Sequence, residues 1–384
     1  MNFDFTEEQL MMRDSVHKFF KKEFPPEVIR KLDEEGKYPD TLFKKMAEAG
    51  WTALPFPEKY GGTEGTVLDL SVLLEAIGYN WISASVIYAR TVIFGGYSLM
   101  MFGTEEQKDA LIPRIANGSI AFALGLTEPN AGSDALNQST TAVEDGDSYI
   151  INGSKMFCSG ANVADYIVCV AVTDPAVERR KGLSVFLVDP SSPGVTVRKL
   201  KTLGFRTTGT CEVFFDNVRV PKTNLLGKLN EGWNVVRKVM QVSRACLSPQ
   251  LVGAAQRVID ETVKYANERV QFGRPIGSFQ AIQHKLADVQ TQVEAARLLA
   301  YRVACMVTKN QKCGKESSMA KLLASETWAR AAEVGMQVFG GYGYSMEFDM
   351  QRHFRDSRLT LVGEGSSEIQ RNIIAKYMGL PDHA

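Results

Sequence analysis

The sequence predicts a mainly α fold of the α+β class, in three consecutive units: a helical domain over residues 1–120, a β-domain of barrel or sandwich type over 121–230, and a helical bundle over 231–384. Two observations carry this. Apolar residues recur at helical spacing to about Gly118, give way to short runs rich in Val, Ile and Phe from about Ser119, and return to long helical periods beyond Glu231. The length of 384 residues suits two or three packed units at roughly 100 to 200 residues each. Composition is that of an ordinary globular chain, 45% hydrophobic and 23% charged with 32 Gly and 14 Pro, which excludes disordered and collagen-like classes.

In the first unit Thr6 and Gln9 have the spacing of a capping box and Phe5 and Leu10 that of a hydrophobic staple, and Met12, Val16, Phe19 and Phe20 continue a helix face. A second helix starts near Asp40 and stops at Gly50. The turn-rich PFPEKYGGTEG, Pro55 to Gly65, separates it from a helical pattern from Leu68 to Ile77. Trp81 to Gly103 has the length of a membrane span, but Arg90 lies in its middle and Ser83, Ser85 and Thr91 dilute it, so a buried soluble helix is expected. Thr104 and Gln107 open another helix that ends near Gly118.

Six strand-like runs make up the second unit: Ala121 to Leu126, Tyr149 to Asn152, Tyr166 to Val172, Leu183 to Val188, Val195 to Val197 and Cys211 to Val220. Asp145-Gly146 signals a hairpin, and Pro190 to Gly194 a break. The third unit reads as helices from Trp233 to Arg269 with an interruption near Pro249, Ser278 to Thr308, Glu316 to Phe339, and Ser366 to Met378. Helices of that length bury their faces most simply as a four-helix bundle with apolar surface to spare for subunit contacts.

Several function classes drop out. Lys plus Arg and Asp plus Glu are both 44, so the chain carries no basic footprint for nucleic acid or an anionic membrane. The six cysteines form no CxxC pair, and the acidic amino-terminal MNFDFTEEQLMMRD lacks the basic and apolar regions of a signal peptide; a cytoplasmic protein is expected. No GxGxxG opens a helix after a strand, and GxxxxGKS, HExxH and GxSxG are absent. The four His, at 17, 284, 353 and 383, are scattered without metal-ligand spacing.

What remains is five Gly- and hydroxyl-rich segments: LTEPNAGSD (Leu126 to Asp134), INGSKMFCSGA (Ile151 to Ala161), ERVQFGRPI (Glu268 to Ile276), QVFGGYGY (Gln337 to Tyr344) and VGEGSSEIQ (Val362 to Gln370). In this order and spacing they resemble the acyl-CoA dehydrogenases, and the resemblance covers essentially the whole chain. It implies bound FAD, an acyl-CoA substrate, an electron-transfer flavoprotein as partner and a homotetramer built as a dimer of dimers.

Residue by residue, the resemblance assigns Leu124, Leu126, Thr127 and Ser133 to the cofactor, with Ser133 also near the CoA pyrophosphate; small residues there let backbone N–H groups approach an anion or ring. Glu128 and Pro129 are expected only to shape a capped turn. Asn130 stands where the family more often has Gly, and Asn tolerates left-handed geometry. Phe157 and Ser159 match the aromatic and hydroxyl positions against the flavin ring; a tryptophan is usual at the first, so Phe157 keeps a stacking face and loses the indole donor. Arg269 and Phe272, with Gln337, Gly340 and Gly341, match segments that reach the FAD of a neighbouring subunit, where a planar guanidinium suits a diphosphate.

Glu364 matches the family's catalytic base. Oxidising a thioester between Cα and Cβ needs a base for a weakly acidic α-proton, and a carboxylate in an apolar cavity gains basicity by desolvation. Gly365 beside it leaves room for the thioester and a backbone N–H for the enolate oxygen, while Ser366 and Glu368 match FAD contacts. Some members carry their base immediately before the residue matching Arg244; Ser243 stands there, leaving Glu364 as the base, and Arg244 matches a position near CoA. The amino-terminal style, DEEGKYP then PEKYGG, is similar to crotonobetainyl-CoA reductases, which tend to lack the carboxylate that Glu364 supplies. Gly363, where many members have tyrosine, implies a wide acyl pocket. Arg90 calls for a buried partner: an internal acid is the first expectation, a glutaryl-like acyl carboxylate the second. The implied function is dehydrogenation of an acyl-CoA to the trans-2-enoyl-CoA with electrons passed to an electron-transfer flavoprotein. An enoyl-CoA reductase using the same residues and a non-catalytic scaffold are the alternatives.

Overall fold

The computed structural model describes residues 4–381. Its amino-terminal part is helical: α1 Glu7–Glu23, α2 Pro26–Glu35, α3 Leu42–Glu48, α4 Val67–Ala89, a π-helical stretch Arg90–Tyr97, α5 Ser98–Phe102 and α6 Glu105–Ala116. Reciprocal capping boxes start α1 at Thr6 and α6 at Thr104, each joining a threonine hydroxyl to the N3 amide and a glutamine side chain back to the cap amide. The helix expected from Asp40 is α3. α2 was not foreseen; it begins at the Pro25-Pro26 pair and stops at left-handed Gly36. The helical patterns read separately from Leu68 and from Trp81 are two helical segments that meet at a kink, where Trp81 (φ −161°, ψ 103°) leaves helical dihedrals. Its apolar part from Ile82 to Phe102 is long enough to cross a membrane and is largely buried inside the protein.

The middle strands are β1 Phe122–Gly125, β2 Thr141–Asp145, β3 Ser148–Ser159, β4 Tyr166–Val172, β5 Leu183–Val188, β6 Val195–Lys199, β7 Thr210–Pro221 and β8 Leu225–Leu226. They form one sheet in the order β6-β7-β3-β2-β4-β5-β8, with β1 parallel to β4. A two-residue turn containing Gly146 (φ 61°) joins β2 to β3, as the Asp-Gly pair predicted. Strand alternation divides the sheet's two faces. Val168, Val170, Val185 and Leu187 join the core of the helical part, whereas Ile167, Cys169, Phe186 and Val188 join a core within the β-domain.

Beyond the sheet run α7 Gly232–Glu268, a short hairpin of β9 Val270–Gln271 and β10 Arg274–Pro275, α8 Gln280–Thr308, α9 Gly314–Phe339, α10 Gly341–Tyr344, α11 Met350–Val362 and α12 Ser367–Tyr377. α7 packs on α4, α8 and α9, and α9 packs on α11 and α12. The interruption expected near Pro249 is absent: α7 is continuous through it. On either side Ser248 and Gln250 donate side-chain bonds to the carbonyls of Arg244 and Cys246, and Pro249 itself is buried in the packed helix, so tertiary contacts offset the lost backbone bond.

Candidate active site

Glu364 lies in the turn between α11 and α12, with φ 54°, a left-handed conformation that a residue with a Cβ adopts at a cost. Gly365 follows at φ 89°. Three elements hold this turn. From α7, Ser243 donates to the Glu364 carboxylate (Oγ to Oε2, 2.9 Å) and Arg244 reaches the Glu364 carbonyl at 3.4 Å. From α12, the Gln370 amide donates to the carbonyls of Glu364 and Gly365 at 3.1 and 2.9 Å. From α9, the buried Lys321 donates to the carbonyls of Thr360 and Gly365 at 2.8 and 2.9 Å, bracketing the turn from both sides. Burial raises the Glu364 pKa above its ordinary value, against the Ser243 hydroxyl and the charges of Arg244 and Lys321. Desolvation also lowers Lys321 to about 8, opposed by Glu364.

Ser366 caps α12, accepting from the Ile369 amide, and Glu368 is exposed in the first turn, its pKa lowered by Ser366 and its own backbone amide. A Cβ added at Gly365 would come within 2.7 Å of the Gln370 amide nitrogen, so glycine is needed for space as well as for φ. A Cβ at Gly363 would lie 3.3 Å from the Leu359 carbonyl oxygen, so that side of the turn packs closely on the last turn of α11.

The loop after β1 and the end of β3 lie against each other. The Met156 amide donates to the Thr127 carbonyl at 2.8 Å, which holds the TEPNAGSD loop beside Phe157. Leu124 and Leu126 are half-buried, and Ser133 is exposed. Phe157 sits at a β-bulge with φ 58° and its ring is 62% exposed, so it is not packing in a core. Two positions on, Ser159 lies 3.4 Å from the Thr210 hydroxyl. Glu128 does more than shape a turn: it is buried in an ion pair with Lys155 (2.6 Å) and accepts from the backbone amides of Ser139 and Thr140 at 2.6 and 3.0 Å.

Arg269, Phe272, Gln337, Gly340 and Gly341 gather elsewhere. Arg269 lies 5.4 Å from the centroid of the Tyr342 ring, while Tyr265 stacks on Phe339 at 4.1 Å. Phe272 is 93% exposed with φ 53°. Lys321 and Gly340 lie about 28 Å apart along α9, taking about 1.5 Å per residue, so this second cluster is remote from Glu364 within one chain.

Three family models match in succession: the acyl-CoA dehydrogenase N-terminal domain over residues 6–119, the middle domain over 123–218 and the C-terminal domain over 230–379. The chain belongs to the acyl-CoA dehydrogenase family. It is 40% identical to a probable acyl-CoA dehydrogenase, YngJ, of Bacillus subtilis, over 98% of this chain and 100% of that one. It is 37% identical to the CarC subunit of the caffeyl-CoA reductase-Etf complex of Acetobacterium woodii, over 97% and 98%. The solved structure of butyryl-CoA dehydrogenase from Megasphaera elsdenii superposes with a TM-score of 0.95 at 33% identity, over 98% of this chain and 100% of that one.

Members of the acyl-CoA dehydrogenase family are FAD-dependent oxidoreductases, and this chain is one of them. Its residues fit a flavin. Phe157 offers a bare aromatic face next to the Ser159 hydroxyl, and Arg269 pairs with no carboxylate among the described residues. Of the eight non-glycine residues with positive φ among the described residues, Phe157, Phe272 and Glu364 are candidates for the flavin or its substrate. Sequence reasoning missed Lys321, Gln370 and the Lys155 partner of Glu128. Gln370 lies at the end of the VGEGSSEIQ segment, and a lysine amid the apolar residues of α9 is a signal for Lys321. Arg90, expected to meet an internal acid, meets none among the described residues; the polar group it does contact is the Tyr38 hydroxyl.

Proposed function

We propose that the protein oxidises an acyl-CoA thioester between Cα and Cβ to the trans-2-enoyl-CoA, with Glu364 as the base that removes the α-proton. The observation that carries this is the half-buried Glu364, its carboxylate held by the Ser243 hydroxyl from a left-handed turn and raised in pKa by desolvation. Bound FAD supplies the hydride acceptor for the β-carbon. Phe157, Ser159, Thr127, Leu124, Leu126 and Ser133 would hold it on the chain that carries the base. Ser366 and Glu368 would extend that contact at the start of α12.

Gly365 and a backbone N–H of its turn receive the thioester oxygen, where negative charge grows as the proton leaves. Arg244, fixed beside the turn, faces the CoA end. Arg269, Phe272, Gln337, Gly340 and Gly341, remote from their own Glu364, serve the flavin of a neighbouring copy, which makes a homotetramer the working unit. The exposed Phe272 ring supports this reading. An electron-transfer flavoprotein is the proposed acceptor, supported by the Etf complex to which the CarC relative belongs. That relative's name also favours a second reading, in which the same residues run the reaction as an enoyl-CoA reduction; the flavin potential with ligand bound distinguishes the two.

The test is Glu364→Gln in the flavin-loaded enzyme. Anaerobic acyl-CoA should still bind and perturb the flavin spectrum, but bleaching should fall by at least about a hundredfold, as expected for loss of a positioned base. Bleaching at the wild-type rate would remove Glu364 from the reaction.

A further inference from the structure

Arg90 opens the π-helical stretch Arg90–Tyr97 and is 3% exposed. Such a departure from α-helix occurs often at functional sites. One terminal nitrogen donates to the Tyr38 hydroxyl at 2.5 Å, and the guanidinium carbon lies 5.0 Å from the centroid of that ring. Its Nε and its other terminal nitrogen are buried without a partner, and no carboxylate among the described residues pairs with it. A buried cation left without a counter-charge is a substantial cost to the fold, and one that a bound anion would relieve.

The surroundings indicate where that anion would come from. The unpartnered terminal nitrogen fills the space of a side chain at Gly160, where an added Cβ would lie 1.0 Å from it, and Gly160 directly follows Ser159. Arg90 and Phe94 are four residues apart in one helical stretch and share a face. Phe94 lines an apolar cleft with Leu124, Val239 and Met240. Val239 and Met240 lie on the length of α7 that continues to Ser243, the partner of Glu364. The stretch packs on α7, and Tyr97 further along it packs against the core that Val242 and Cys246, either side of Ser243 and Arg244, help to form. The stretch is thus a wall of the space beside the base, with Arg90 at the end that closes on the β-domain.

We propose that Arg90 receives a carboxylate at the far end of the acyl chain, so that the preferred substrate is the CoA half-thioester of a dicarboxylic acid. This rests on the acyl-CoA dehydrogenase reading above. A planar guanidinium with two free N–H directions matches the two oxygens of a carboxylate, whereas a methyl terminus would leave those groups unsatisfied.

The experiment compares length-matched pairs on the flavin-loaded enzyme under anaerobic conditions, such as valeryl- with glutaryl-CoA and hexanoyl- with adipyl-CoA, reading kcat/KM from flavin bleaching. At one length the dicarboxylic thioester should be favoured by at least about tenfold, since a site built to bond a polar group discriminates strongly. Arg90→Met should remove that ratio and Arg90→Lys should restore part of it. Preference for the neutral thioester at every length would overturn the inference, and this wild-type comparison decides even if Arg90→Met does not fold. A proportional loss for both kinds of substrate in Arg90→Met, with an altered flavin spectrum before any ligand is added, would overturn it too, by assigning Arg90 to the flavin. Bleaching by neither kind would instead sink the dehydrogenase reading, and the inference with it.

Discussion

Glu128 is buried and Glu364 half-buried, so both carboxylates lose water in the fold, yet their surroundings drive them in opposite directions. Glu128 has Lys155 at 2.6 Å, two backbone amides and the Ser139 hydroxyl, so its oxygens are fully engaged. Desolvation there is outweighed by the Lys155 charge and these bonds, and the pKa falls to about 2. Glu364 has one hydroxyl on its carboxylate, while Arg244 and Lys321 spend their hydrogen bonds on carbonyls of the turn. Desolvation prevails and its pKa rises. A satisfied carboxylate anchors a loop, and an under-satisfied one remains available to take a proton.

The largest way to break the contrast is Glu128→Ala. It leaves the Lys155 ammonium buried and unpaired, and breaking a buried pair this way costs about 3–5 kcal/mol. Chemical denaturation should show the loss, together with weaker retention of flavin, because the TEPNAGSD loop is released. A change within about 0.5 kcal/mol would show that the pair is not the anchor. The pH dependence has a definite sign. Because its folded pKa is depressed, Glu128 contributes stability that is complete above the ordinary value of 4.5 and is lost as pH falls towards about 2. Glu364, raised, protonates at a higher pH than that window. On acidification activity should therefore vanish while circular dichroism still reports a folded protein; simultaneous loss of both would contradict the separation.

How much of this was legible in the sequence differs between the two residues. Glu364 stood between glycines in a segment whose resemblance assigned its role. Glu128 was assigned only to a turn, because the partner that gives it meaning lies 27 residues on and a one-dimensional pattern does not pair them. The same limit explains other misses. Tyr166 to Val172 is an unbroken apolar run, buried on both faces, whose ends are plain in the sequence, whereas β3 runs on to Ser159 past Gly153 and two bulges that disrupt its pattern. α11 went unread because its inward face is charged: Arg352, Arg355 and Asp356 are buried, with Arg355 bonded to Asp33 of α2 and Asp356 to the Phe205 amide. The continuity of α7 through Pro249 is likewise decided by packing. Arg90 is the converse case, since its sequence context correctly demanded a partner and the fold supplies only a tyrosine.

A smaller change sharpens the comparison at Glu364. Ser243→Ala removes the one hydrogen bond to the carboxylate, which favours the ionised form, so the acid limb of the kcat/KM profile should move to higher pH while turnover on its plateau falls only modestly. An unmoved limb would mean that the hydroxyl does not reach the base in the working enzyme.

Lys321→Gln should give the smallest shift, in the same direction. The amide can still donate to one of the carbonyls that Lys321 holds, so the turn keeps part of its support, but the positive charge that lowers the Glu364 pKa is gone. Its influence is weaker than that of the Ser243 hydroxyl because it acts through space while its hydrogen bonds go to backbone oxygens. The acid limb should rise by less than in Ser243→Ala. If it rises by more, Lys321 is the main control on the base, and the contrast with Glu128 becomes one of distance: both carboxylates would answer to a buried lysine, one in contact and one across a turn.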